Sequence, residues 1–261
     1  MGLAIQKIKE IEMPETHAIC SPSSYDRWHK CPASAKINAT AIQEPSYPAT
    51  EGTVIHEVAE TDLKELIKGV SLEDYWLDRT VNKYGIDVVV TQDLIDCAKF
   101  YVAYCNDRTK ELQATRLIEE QLELTELHEA IWGTADCLLI ADKKIDNLIE
   151  VIDFKSGSWP VTMPSNQLKI YGLMALSRYG DEDTKVLMTI VQPRIRGNKS
   201  KINSYQMNAE ELVDWGYQDL KKAAELCFED PPVFKAGDWC RFCSYKNNCD
   251  KFQQLELRSK L

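Results

Sequence analysis

The chain has 261 residues, enough to bury a sizeable core, and its 44% apolar and 28% charged content is that of an ordinary soluble globular protein. Its net charge of −10 excludes a general nucleic-acid-coating protein, because phosphate affinity comes from clustered lysine and arginine. No stretch approaches the length of a membrane span, and the start from Met1 to Glu10 has neither a signal-peptide apolar core nor a myristoylation pattern, so a cytoplasmic protein with no membrane partner is expected.

In chain order, residues 23–30 predict a short helix stopped by Cys31-Pro32. A loop from Asn38 to Thr50, carrying Pro45 and Pro48, leads to a predicted helix over 53–68 closed by Gly69. Thr91 caps a longer helix to Leu112, with Leu94, Cys97, Ala98, Tyr101, Val102 and Cys105 on one side. Strands are expected near 116–124, 134–141 and 147–154, then a helix over 165–179 ending at Gly180, then strands near 185–192 and 201–207. Asn208 with Glu211 three residues on is a capping signature for a helix reaching Cys227, and Pro231-Pro232 breaks the chain after it. Helices around a short central mixed sheet imply a three-layer α/β (α+β) architecture, read as one domain over 1–261. No glycine-rich phosphate loop or dinucleotide fingerprint is present, so ATP-driven or nicotinamide chemistry has no support.

The residues hardest to explain by folding alone are Asp136 and the triplet Asp153-Phe154-Lys155. A hairpin about residues 144 and 145 sets position 136 opposite 153, so two carboxylates close two otherwise apolar strands. Such a pair repels unless one acid stays protonated or a cation sits between them. Lys155, two residues beyond Asp153, points to the same face. In this reading Asp136, Asp153 and the Phe154 backbone carbonyl hold a divalent metal, and Lys155 orients or deprotonates an attacking water. His56, with Glu60 one turn on, is the fitting nitrogen ligand; alone it reads rather as a partly buried structural histidine, and only its combination with the two acids reverses that preference. Glu119 or Glu120 is a minor candidate for an outer contact.

Gln167 and Tyr171, four apart on a helix, face the same way, and Arg178 returns near that face three turns later. Lys185, Arg194, Arg196, Lys199 and Lys201 fall within seventeen residues that hold no acid. That stretch reads either as a DNA-facing track or as a solvated loop between strands. Nine cysteines without a secretion signal do not read as a disulfide scaffold. Cys240-x2-Cys243-x5-Cys249 gives three thiolates in a compact loop, and Cys31 is a better fourth than Cys20. Four thiolates suit Zn²⁺ or an iron–sulfur cluster, and a ligand so far upstream would clasp the two ends of the domain together.

Assembled, the motifs Trp28-x2-Cys31-Pro32, Gly52-Thr53-x2-His56-x3-Glu60, Gly133-Thr134-x-Asp136, Asp153-x-Lys155, Gln167-x3-Tyr171 and the C-terminal cysteines resemble the PD-(D/E)XK nuclease superfamily in its RecB-like iron–sulfur exonuclease branch. The likeness covers most of the chain and is nearest to a phage- or prophage-borne group with Gln192-Pro193-Arg194-like elements. It implies a restriction-endonuclease-like core, Mg²⁺ or Mn²⁺ held by His56, Asp136 and Asp153, and a catalytic Lys155. It also implies a structural [4Fe–4S] cluster on Cys31, Cys240, Cys243 and Cys249, so that 20–50 and 230–261 form one subregion. The function so implied is a metal-dependent DNA exonuclease in phage-type recombination or end processing, with DNA contacts from Gln167, Tyr171, Arg194, Arg196 and Lys199. The partners would be DNA and either a second copy or a recombination protein. The alternatives are a structure-selective or single-strand endonuclease on the same site, or a non-catalytic DNA- or protein-binding module.

Overall fold

The computed structural model describes residues 18–41 and 45–258; the signal-free start read from the sequence lies outside them. Short helices α1 (Tyr25–Lys30) and α2 (Ser34–Thr40) come first, then α3 (Tyr47–Leu63) and α4 (Leu72–Trp76). A hairpin of β1 (Thr80–Lys83) and β2 (Ile86–Val89) leads to α5 (Gln92–Glu111). Strands β3 (Thr115–Glu123), β4 (Trp132–Ile140) and β5 (Leu148–Phe154) follow, then α6 (Asn166–Tyr179), β6 (Lys185–Val191) and β7 (Ile202–Asn208). The chain closes with α7 (Ala209–Trp215), a π turn over Gly216–Leu220, α8 (Lys221–Leu226) and α9 (Asp250–Arg258). Among the described residues no helix is long and apolar enough to cross a membrane.

The five strands form one mixed sheet in the order β3-β4-β5-β6-β7, parallel only between β5 and β6. α6 makes the crossover that a parallel pair requires. β5 is buried at every position, as a central strand covered on both faces must be. On one face Ile152, Phe154 and Leu139 pack with Val54, Ile55 and Val58 of α3 and Ile95, Ala98 and Val102 of α5. On the other, Leu138, Val151 and Ile190 pack with Leu168, Met174 and Leu176 of α6 and Leu212 of α7. The expected layering of helix, sheet and helix is observed.

Two boundaries differ from expectation. α3 starts at Tyr47 and ends at Leu63, where the sequence suggested 53–68. Pro48 lies in the first turn, where its missing N–H costs no helical bond, so it opens the helix and does not mark a loop. The hairpin of β1 and β2 was not anticipated; its turn, Tyr84-Gly85, has positive φ at both residues (54° and 80°), the geometry of a tight two-residue connection. The capping box at Asn208 and Glu211 forms as expected.

Candidate functional site

The register Cys137↔Ile152 carries the two acids to the same end of β4 and β5, so Asp136 and Asp153 face one another across the strands, as the hairpin argument required. The Phe154 peptide lies between their elements. Its N–H donates to Asp136 Oδ2 at 2.7 Å, and its carbonyl oxygen lies 3.0 Å from His56 Nε2 on α3. His56 Nδ1 is 3.6 Å from Asp136 Oδ1. The phenyl ring of Phe154 stacks on Tyr101 at 4.4 Å, which anchors this peptide to the core.

On the other side of the acid pair, Lys155 Nζ donates to Asp153 Oδ1 at 3.1 Å and to Gln167 Oε1 at 3.2 Å. The Gln167 amide returns a 3.0 Å bond to the same Asp153 oxygen. Asp153 is 5% exposed, and its Oδ2, though 3.0 Å from Lys155 Nζ, accepts no hydrogen bond. The Lys155 ammonium thus stands against both oxygens of a buried carboxylate, and offsets its charge. Tyr171 packs one turn beyond Gln167, so close to β4 that a Cβ at Gly133 would fall 2.9 Å from its hydroxyl. Any side chain there would require the tyrosine to shift.

Glu119 is the residue the sequence undervalued. It sits in β3 where the register places it opposite Asp136, and its φ of +53° is a left-handed conformation that a non-glycine strand residue adopts only at a cost of about 1–3 kcal/mol. With His56 and Asp136 it forms a group whose ligand atoms all lie within 4.8 Å of one another. The sequence of β3 holds no signal for this left-handed conformation, since a glutamate between Ile118 and Glu120 reads as an ordinary strand residue. Glu120 turns away to Tyr179 and Arg178, so Arg178 belongs to the α6–β3 contact and not to the Gln167–Tyr171 face. Glu60 joins His56, Glu119, Glu57 and Lys83 around an open cleft of about 540 Å³.

The charges are strongly coupled. Burial pushes the Glu119 carboxyl up to about 7, helped by Asp136 and Glu60. Burial also raises Asp136, against the pull of His56 and with the push of Asp153. For Lys155 burial acts downward, but Asp153 and Asp136 outweigh it, and the ammonium is held above its ordinary range. Two oxygen acids beside an imidazole form a donor set suited to Mg²⁺ or Mn²⁺.

The basic stretch is narrower than its sequence suggests. Arg194 is bound by Glu51 at 2.7 Å and Asp93 at 3.2 Å, and donates from Nε to the Ser156 carbonyl at 2.7 Å. It therefore ties the segment after Lys155 to the helix that carries His56, and its charge is offset. Lys185 pairs with Asp146. Arg196 and Lys199 are exposed.

The N- and C-terminal segments are joined around the cysteines. The Lys235 amide donates to Cys31 Sγ, Asn38 Nδ2 to Cys243 Sγ, and Arg27 to the Phe242 carbonyl. The amides of Ala33 and Ser244 complete the seam through Val233 and Asn38. Cys31 feels both Cys240 and Cys243, and all the cysteines are free thiols. Cys249 lies half-buried just before α9. Cys20 instead lies with Cys227 in the buried core, which separates it from the set.

A model of the family described as "Protein of unknown function (DUF2800)" matches residues 17–260. The chain belongs to the DUF2800 family. This DUF2800 chain is also similar to the solved structure described as "Crystal structure of SSO0001", at 15% identity over 88% of this chain and 84% of that one. The TM-score is 0.37, too loose a superposition to carry an argument.

Proposed function

We propose that this DUF2800 chain is a metal-dependent deoxyribonuclease with a restriction-endonuclease-like core, acting as an exonuclease on DNA ends. The observation that carries the reading is the convergence of His56, Asp136 and Glu119 beside the bracket of Asp153, Lys155 and Gln167. His56, Asp136, Asp153 and the Phe154 carbonyl would hold Mg²⁺ or Mn²⁺, with Glu119 as an added carboxylate. When bound, such an ion lowers the pKa of water and offsets phosphate charge. Lys155, kept as an ammonium by its two acids, offsets the charge that develops on the scissile phosphate and donates to the attacking water. Gln167 fixes the lysine and Asp153 in one geometry, and Tyr171 closes the back of the site.

The four cysteines Cys31, Cys240, Cys243 and Cys249 would carry a structural [4Fe–4S] cluster. The seam already joins residues 27–38 to 233–244, so the cluster would reinforce a contact that the protein makes.

The test is cleavage of end-labelled linear duplex beside closed circular DNA, with Mn²⁺ and with chelator. Loss of label from linear DNA alone is expected from the wild type, and none from Asp153→Ala. Cutting of the circle would redefine the enzyme as an endonuclease on the same site, and undiminished cleavage by Asp153→Ala would overturn the assignment.

A further inference from the structure

We propose that Trp159, with Arg196, is a stacking platform that takes an unstacked base of a single-stranded DNA end entering the active site; this rests on the nuclease reading above. Trp159 is 76% exposed, an unusual state for an indole, which normally buries most of its surface. It is not on a slack loop. Gln192, 1% exposed, donates from its amide to the Gly157 and Trp159 carbonyls at 2.7 Å each, and its oxygen accepts from the Val161 amide at 3.2 Å. Arg194 holds the Ser156 carbonyl, and the Arg196 amide donates to Ser158 at 3.1 Å. A buried amide and two arginines thus fix a segment that holds an aromatic ring out to solvent. Folding gains little from that ring, so its placement points to a ligand.

Position and charge name the ligand. Trp159 follows Lys155 by four residues, a reach of at most about 14 Å. The Arg196 guanidinium lies 5.9 Å from the indole centroid, and Lys199, three residues further on, is also exposed. An aromatic face bordered by cations is the element with which proteins hold single strands without reading sequence, since every base has a π face and every linkage a negative charge. A base inside a duplex has no free face and the end pair of a blunt duplex exposes only one, whereas an unstacked base offers both, so the platform favours frayed or single-stranded ends.

The test uses the full-length protein with Asp153→Asn as a binding background, Mn²⁺, and fluorescently labelled oligothymidine beside a blunt hairpin duplex. Trp159→Ala is expected to weaken single-strand binding about five- to a hundred-fold, with Trp159→Phe retaining most of it and blunt duplex binding changing less than twofold. In the Asp153-intact enzyme the same Trp159→Ala change should raise KM on single strands with kcat nearly unchanged. If the wild type cleaves DNA and Trp159→Ala binds single strands as tightly as its parent, the platform is refuted and the nuclease stands. If the wild type neither cleaves nor binds, the nuclease reading fails and takes the platform with it.

Discussion

The amide of Phe154 donates a 2.7 Å hydrogen bond to Oδ2 of Asp136. One strand's backbone thereby fixes the carboxylate of the next, and the same peptide turns its carbonyl toward His56. The site is organised around this peptide. Asparagine at 136 can still accept that bond but cannot supply an anion. Because burial disfavours the Asp136 carboxylate, Asp136→Asn should raise the Tm of metal-free protein by about 2–4 °C, the shift that ~1 kcal/mol gives a chain of this size. Cleavage should fall at least about a hundred-fold. Calorimetry beside an activity assay checks both directions.

Gln167 bonds to both Asp153 and Lys155. Gln167→Ala should lower kcat by about ten- to a hundred-fold, as loss of a group that orients site residues does, with little change in Tm. A variant as active as wild type would remove Gln167 from the mechanism.

Glu119 gives a pH dependence with a defined sign. Its folded carboxyl titrates near 7 against an ordinary 4.5, so between those values the folded state holds more protons than the unfolded. The favourable protonated form is fully present below 4.5 and is lost as pH rises through 7. In chelator, the Tm advantage of Glu119→Gln over wild type should therefore grow from pH 5 to pH 8. Thermal melts across that range decide it; a constant or shrinking difference contradicts the burial of this acid.

Arg194 and Arg196 should behave as opposites although both are cations of one stretch. Arg194→Ala leaves Glu51 and the Ser156 carbonyl without their partner and should destabilise the fold by about 1–2 kcal/mol. Arg196→Ala should leave Tm unchanged and weaken DNA binding, with a shallower salt dependence. Denaturant melts paired with binding at two salt concentrations separate the roles.

This contrast marks what was legible in the sequence. The pairing of 136 with 153 could be read because a hairpin folded about residues 144 and 145 fixes which positions oppose, and Gln167 with Tyr171 because helical spacing fixes a face. The left-handed backbone at Glu119 could not, since nothing in its residue type asks for it, nor could the ties of Arg194 to residues 51 and 93, which join distant segments. The hydrogen bond between Asn38 and Ser244 joins the segments that carry Cys31 and Cys243, a contact that no local sequence pattern specifies. Anaerobic purification should yield about four irons per chain, lost in Cys31→Ser; stoichiometric zinc without iron would contradict the cluster.

The most direct measurement is nucleotide release from linear duplex by wild type and Lys155→Ala side by side, with Mn²⁺ as the sole divalent ion. The account predicts steady release by the wild type, none in chelator, and a loss of at least about a thousand-fold in Lys155→Ala at unchanged Tm. Equal release by the two proteins, or release that persists in chelator, would contradict it.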